Sequence, residues 1–355
     1  MTKVTLKKNE GRTISAGGLW IFDNEIDHVE GDYENGDIVS VVSYKDDFIG
    51  CGYINDHSKI RIRILSRDKD DVIDEAFFEK RFADAWNYRK SVVDTKCCRI
   101  VFSDSDRLPG LIVDKFNDIL VFEIDTLGMD VRKDILVKAM MKVLKEDGEK
   151  IRGIYERSDA RVRTLEGLER IKGFLSEPFD TLIQVEENGV KLEVDIDQGQ
   201  KTGYFLDQKY NHLAISQARR NSELNGFTNT EFLVADVFDY LIEAEKKKER
   251  FDVIVLDPPA FTKSKNSLKN ASKGYKEINY RAMKLLNPGG FLVTCSCSEY
   301  MPRDLFMKII LASGNDAHKR LRLVESRAQG PDHPVILGHN VSDYLKCIIV
   351  QVNER

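Results

Sequence analysis

The feature that most constrains the fold is the run Phe251–Leu256, nearly continuous in apolar residues and closed by Asp257-Pro258-Pro259. A short apolar run ending in turn residues reads as a strand buried on both faces, the kind found in parallel sheets. Its neighbours fit that reading. Thr230–Asp236 is β-prone and precedes a helix rich in Glu and Lys, a further helix runs through Ala282-Met283, and Gly289-Gly290 leads into the run Phe291–Ser298. Strand and helix alternating in this way predict an α/β region with a parallel sheet. Ligands of such sheets sit beyond the carboxyl ends of the strands. Asp236, Asp257 and Cys297 all fall at or near such ends, so the pattern expects them on one rim.

The remainder of the 355 residues reads as two further regions. Residues 1–74 carry short β-prone runs separated by Gly-centred turns, a small β-rich domain. In its last run the period of two sets Lys59, Arg61 and Arg63 on one face and Ile60, Ile62 and Ile64 on the other. Three aligned cations suit a phosphate backbone, although a solvated basic face has the same pattern. Residues 75–180 read as an α+β domain. It has an aromatic stripe at helical spacing (Phe77, Phe78, Phe82, Trp86), two strand-like runs between Arg99 and Ile124, and a helix over about Val131–Lys145. From 181 the alternating runs around Asn188-Gly189 predict a hairpin that opens the third region, 181–355.

Composition narrows the class. Charged residues make up 32% and hydrophobic ones 42%, with a formal net charge of −5, so the chain is neither disordered nor a uniformly basic nucleic-acid coat. No apolar run reaches membrane-spanning length and the first residues lack a signal-peptide core, which predicts a cytoplasmic protein with no membrane partner. The six cysteines show no CxxC spacing, so free thiols and no metal site are expected.

Two residue groups carry chemistry. Asp257-Pro258-Pro259 stiffens a strand exit and leaves carbonyls free to accept from a planar polar group, and it is equally an ordinary strand-ending turn. Cys295 and Cys297 share a face of the following strand. The one nearer the strand end has access to a substrate, and a thiolate there can add to an electron-poor ring carbon. A cysteine on a buried strand is otherwise an inert small hydrophobe.

Taken together, Gln200–Gln208 (QKTGYFLDQ), Val234–Asp239 (VADVFD), Leu256–Lys265 (LDPPAFTKSK), Gly274–Asn279 (GYKEIN), Thr294–Ser298 (TCSCS) and Tyr155–Asp159 (YERSD) resemble the PUA-domain-containing class I S-adenosylmethionine-dependent ribosomal RNA methyltransferases. The resemblance covers nearly the whole chain. It implies a PUA-like amino-terminal domain, a Rossmann-like methyltransferase domain, S-adenosylmethionine as cofactor, and large-subunit rRNA as partner, with 5-methylcytosine the product. It implies Cys297 as the nucleophile toward C6 of the base, Asp257 as the group holding the ring near N3, Asp236 near the cofactor's adenine, and Phe205, Asp207 and Gln208 in a loop over the cofactor. Lys59, Arg61 and Arg63 become the candidate RNA grip, and a homodimer is compatible with the sequence. Position 260 is Ala, so the second motif cysteine of another RNA cytosine methyltransferase group is absent.

The chain departs from the family between residues 205 and 226. The family has there a strand ending in a glycine-rich cofactor loop, a helix, and a second strand ending in an acidic residue; here the FLDQ loop passes straight into the helix-like Ser216–Gly226. A unit of this kind takes roughly 30 residues or more. Its loss from the middle of the sheet is expected to expose the edge of the Asp257 strand. An inactive RNA-binding homologue and an interaction protein unrelated to RNA are the alternatives. Cofactor binding separates the enzyme from the first, and RNA binding separates both from the second.

Overall fold

The computed structural model describes residues 2–187, 189–199, 201–204, 206, 218–233, 235–262, 264–336 and 343–355. The chain divides into two compact units, Met1–Thr228 with Gly330–His339, and Asn229–Gln329 with Asn340–Arg355.

The first unit opens with a six-stranded sheet. Strands β1 (Lys3–Leu6), β2 (Trp20–Phe22), β3 (Ile26–Glu30), β4 (Ile38–Val42), β5 (Phe48–Ile54) and β6 (Ile60–Ser66) take the order β2-β6-β5-β4-β1-β3, with a short helix α1 (Arg12–Ser15) after β1. Alternation sends Val4, Leu6, Val39, Val41, Ile62 and Ile64 into one core. The glycines of β5 allow close approach, since a Cβ on Gly52 would fall 2.0 Å from the Arg63 carbonyl oxygen.

A second sheet follows. Helix α2 (Glu75–Val92) is capped by Asp74, whose carboxylate accepts from the Phe77 amide at 3.0 Å, and it buries the predicted stripe of Phe77, Phe78, Phe82, Ala85 and Trp86. Strands β7 (Cys97–Phe102), β8 (Leu111–Phe116), β9 (Ile119–Ile124), β10 (Gly153–Ser158) and β11 (Ile171–Phe174) run in the order β11-β10-β9-β8-β7. Helices α3 (Leu127–Asp130) and α4 (Lys133–Glu146) make the crossover that lets β9 and β10 pair in parallel, and α5 (Val162–Leu165) precedes β11. The hairpin β12 (Leu182–Glu187) and β13 (Val190–Asp195) forms as predicted. It packs with Cys97, Phe116, Val121 and Tyr155 of the central sheet, within the first unit, as does helix α6 (Ala218–Leu224), which bonds to β13 through Asn221.

The second unit contains α7 (Val237–Lys247), β14 (Phe251–Leu256), α8 (Leu268–Leu285), β15 (Leu286–Ser296), α9 (Arg303–Asp316), β16 (Lys319–Arg327) and β17 (Lys346–Glu354), with sheet order β14-β15-β17-β16. Leu256, Leu292, Ile348 and Val350 meet Tyr275, Ile278, Ala282 and Phe306 of the helices in one core.

Two expectations are corrected here. In the sheet of the second unit only β14 and β15 pair in parallel among the described residues, because β17 runs antiparallel to both β15 and β16. The described residues of Thr230–Asp236 form no strand, and Leu233 is exposed. An isolated strand has no partner for its backbone donors, so β-propensity alone does not build one. The expected open edge is present. Among the described residues β14 pairs only with β15, and Val253 and Val255 are 54% and 37% exposed on one face.

Candidate active site at the ends of two parallel strands

The register of β14 and β15 sets Leu256 opposite Thr294. The residues that follow leave the sheet at the same end, which brings Asp257 and Cys297 onto one rim by topology. Tyr275 of α8 reports their proximity. Its hydroxyl accepts from Ser296 Oγ at 3.0 Å, and burial first, with weaker contributions from Cys297 and Asp257, pushes its pKa up. Asp257 is exposed and Cys297 is partly exposed, so both are open to a large substrate.

The two cysteines have different fates. Cys295 is 2% exposed, lies directly opposite Cys347 on β17, and shares a hydrogen bond with it. That bond and burial push the Cys295 thiol far up, which leaves it an inert core group. The strand ends at Ser296, and Cys297 lies one residue beyond it.

The segment carrying Cys297 is pinned on both sides. Ser298 Oγ donates to the Thr262 carbonyl at 2.8 Å, and the Lys346 ammonium donates to the carbonyls of Ser298 at 2.5 Å and Tyr344 at 2.7 Å. Lys346 is 2% exposed, and burial brings its pKa down to about 8 while Asp343, Cys297 and Glu299 work in the opposite sense. A buried lysine beside a thiol is a residue the sequence reading missed. Its only signal is a cation at the start of the apolar run Cys347–Val350, which a surface lysine also gives.

Asp236 occupies the N-cap of α7, where its carboxylate accepts from the amides of Phe238 at 2.8 Å and Asp239 at 3.3 Å. The register of β14 and β15 brings two of the three expected members, Asp257 and Cys297, to one end of the sheet. Phe205, Asp207 and Gln208 lie outside the described residues.

The proposed cationic stripe on β6 is not one exposed face. Lys59 is exposed and precedes the strand, while Arg61 is half-buried and bonds to Asp56 at 2.7 Å. Arg63 is 5% exposed and pairs with Glu166 at 2.8 Å. The second face of β6 is covered by the α5 region, so the charge there is consumed by a buried pair. No helix among the described residues is long and apolar enough to cross a membrane.

Comparison with known proteins is consistent with this geometry. A PUA-like domain family matches residues 4–67 and a methyltransferase domain family matches residues 208–327. The ribosomal RNA large subunit methyltransferase I of Pseudoalteromonas atlantica is 33% identical, over 99% of this chain and 99% of its own. The protein of the same name from Photobacterium profundum is 35% identical, over 97% of this chain and 98% of its own. The first alignment extends over 397 positions against the 355 residues of this chain, so the relative carries sequence that this chain lacks. Among solved structures, a chain described as a SAM-dependent methyltransferase from Streptococcus mutans matches with a TM-score of 0.79, at 20% identity over 99% of this chain and all of its own. A methyltransferase complexed with SAH matches with a TM-score of 0.80, also at 20% identity and with the same coverage. At that identity these two structures establish the fold.

Proposed function

The chain belongs to the ribosomal RNA large subunit methyltransferase I family, and from that premise we propose that it uses S-adenosylmethionine to methylate carbon 5 of a cytosine in rRNA, with Cys297 as nucleophile. The observation that carries this reading is the parallel register of β14 and β15, which sends Asp257 and Cys297 off the sheet at one end.

The donor supplies a methyl group on a sulfonium, an electrophile that requires an electron-rich carbon. C5 of cytosine is a poor nucleophile until a group adds at C6. In the proposed sequence the Cys297 thiolate forms a bond to C6 and C5 becomes carbanion-like. After methylation the C5 proton passes to solvent water, the C5–H electron pair re-forms the C5–C6 double bond, and the C6–S pair returns to Cys297 as its thiolate, which restores the ring. Covalent addition divides one hard step into two easier ones. The Lys346 ammonium offers the thiolate a buried positive partner, and its bonds to the Ser298 and Tyr344 carbonyls hold the Cys297 segment still. Asp257 is the carboxyl group that meets the polar edge of the base near N3.

The fit to the cofactor rests on few groups. Asp257 stands at the strand end, and Asp236 at the cap of α7, with its carboxylate already accepting from two backbone amides. The target base has to leave its stack to reach such a rim, which requires a grip on the flanking RNA.

The test is nucleoside analysis of large-subunit rRNA after incubation with the chain and S-adenosylmethionine. Appearance of 5-methylcytidine is expected. Methyl incorporation into another nucleoside, or none, overturns the assignment.

A further inference from the structure

In the first unit a cavity of about 220 Å³ lies between α2 and the turn Ser103–Asp106, lined by Arg81, Asp84, Ala85, Ser105, Asp106 and Arg107. Its charges are unevenly committed. Asp106 is occupied, because Arg89 holds it through two bonds of 2.5 and 2.7 Å and the Phe102 amide adds a third at 2.6 Å. Arg81 and Arg107 make no ion pair among the described residues. Arg81 donates to the Leu65 carbonyl at 3.1 Å and lies 4.9 Å from the ring of Phe77. Nearby Arg67 donates only to the Gly18 carbonyl, at 2.9 Å. The Ser105 hydroxyl is buried without a hydrogen-bond partner.

Like charges gathered without a direct ion pair raise the energy of the folded chain. Burial first, and then the nearness of Arg107, holds both Arg67 and Arg81 below the ordinary guanidinium value. A guanidinium does not shed its proton at any working pH, so the repulsion persists until an anion arrives. Asp71 and Asp84, the latter on the exposed side of α2, work in the opposite sense on Arg81 and offset only part of the charge. Two guanidinium forks and a free hydroxyl match a tetrahedral oxyanion, which accepts several donors at once.

We propose that this cavity seats a phosphate of the RNA backbone, held by Arg81, Arg107 and the Ser105 hydroxyl. The proposal rests on the reading that the chain acts on rRNA. It assigns the grip to the central α+β region, in place of the β6 stripe whose Arg63 is buried against Glu166. Arg107 is exposed at the mouth of the cavity.

The experiment is a mobility-shift titration of the full chain with a large-subunit rRNA fragment across a salt series, for wild type, Arg107→Gln and Arg107→Lys. Melting curves run in parallel check that each variant folds. Arg107→Gln is expected to weaken binding about five-fold to ten-fold and to flatten the salt slope by about one, with Arg107→Lys keeping the wild-type slope and weakening binding by about two-fold to three-fold. Equal affinity and equal slope for Arg107→Gln overturn the proposal while leaving the rRNA reading intact. A wild type that binds no rRNA overturns both. A second arm adds inorganic phosphate to the melting curves. If phosphate stabilises wild type and not Arg107→Gln while rRNA affinity is unchanged, the cavity takes a free oxyanion and the RNA assignment fails.

Discussion

Leu256 stands opposite Thr294 in the parallel pair of β14 and β15, and this single register sets Asp257 and Cys297 at the same end of the sheet. The chemistry proposed here depends on that relationship. It separates two cysteines that the sequence presents as near equals, since Cys295 stays in the ladder opposite Cys347 while Cys297 leaves it.

Cys297→Ala therefore removes methyl transfer to rRNA while rRNA affinity stays within about two-fold of wild type, because a thiol adds little to a phosphate-dominated interface. Cys295→Ala keeps turnover and loses stability, about 1 kcal/mol for a small buried group. Methylation assays and binding titrations on both variants check this. Turnover by Cys297→Ala removes that residue from the nucleophile role.

Lys346→Met retains the packing volume and loses the ammonium that donates to Ser298 and Tyr344. The expected result is a kcat reduced by about ten-fold or more with KM for rRNA unchanged, and an acidic limb of the pH–rate profile displaced to higher pH. A purely structural lysine leaves that limb in place. Lys346 is held down to about 8, below its unfolded value, so its burial penalty is present at neutral pH and fades as pH rises through that range; the stability difference between wild type and Lys346→Met narrows accordingly.

Arg63 and Lys59 separate by thermal melting. Arg63→Ala leaves Glu166 buried without its ion-pair partner and costs about 3–5 kcal/mol, whereas Lys59→Ala leaves stability within about 0.5 kcal/mol. Equal and small effects contradict the buried-pair account. The double variant Arg63→Met with Glu166→Leu is expected to recover much of the loss.

Glu123 on β9 carries a further pH signature. Burial first, then Asp125, pushes its carboxyl up to about 8, and Asp125 itself rises to about 6, chiefly through burial. A raised carboxyl binds more protons folded than unfolded, so its contribution to stability is present at low pH and lost as pH rises from about 4.5 to 8. Glu123→Gln is therefore expected to gain melting temperature relative to wild type steadily between pH 5 and 8. A difference that stays constant over that range contradicts the assignment.

Much of this architecture is legible in the sequence wherever a local period decides the outcome. The period of two in β6 buries Ile62 and Ile64, and the stripe Phe77, Phe78, Phe82 and Trp86 puts α2 on its sheet. The failures come where a distant partner decides. Arg63 reads as solvent-facing because its cover, Glu166, lies 103 residues away in sequence. Thr230–Asp236 has strand propensity, yet its described residues form no strand. Lys346 reads as a surface cation until the turn at Ser298 folds over it. The open edge of β14 among the described residues agrees with the expectation drawn from the sequence pattern between residues 205 and 226.

The most direct test of the account is a covalent trap. An rRNA fragment with 5-fluorocytosine in place of cytosine, incubated with the chain and S-adenosylmethionine, carries no C5 proton to lose, so the C6–S bond of an adduct has no route to break. The account predicts a protein–RNA species that survives SDS electrophoresis for wild type and is absent for Cys297→Ala. Methylation of ordinary rRNA with no trapped species, or a trapped species that persists in Cys297→Ala, contradicts it.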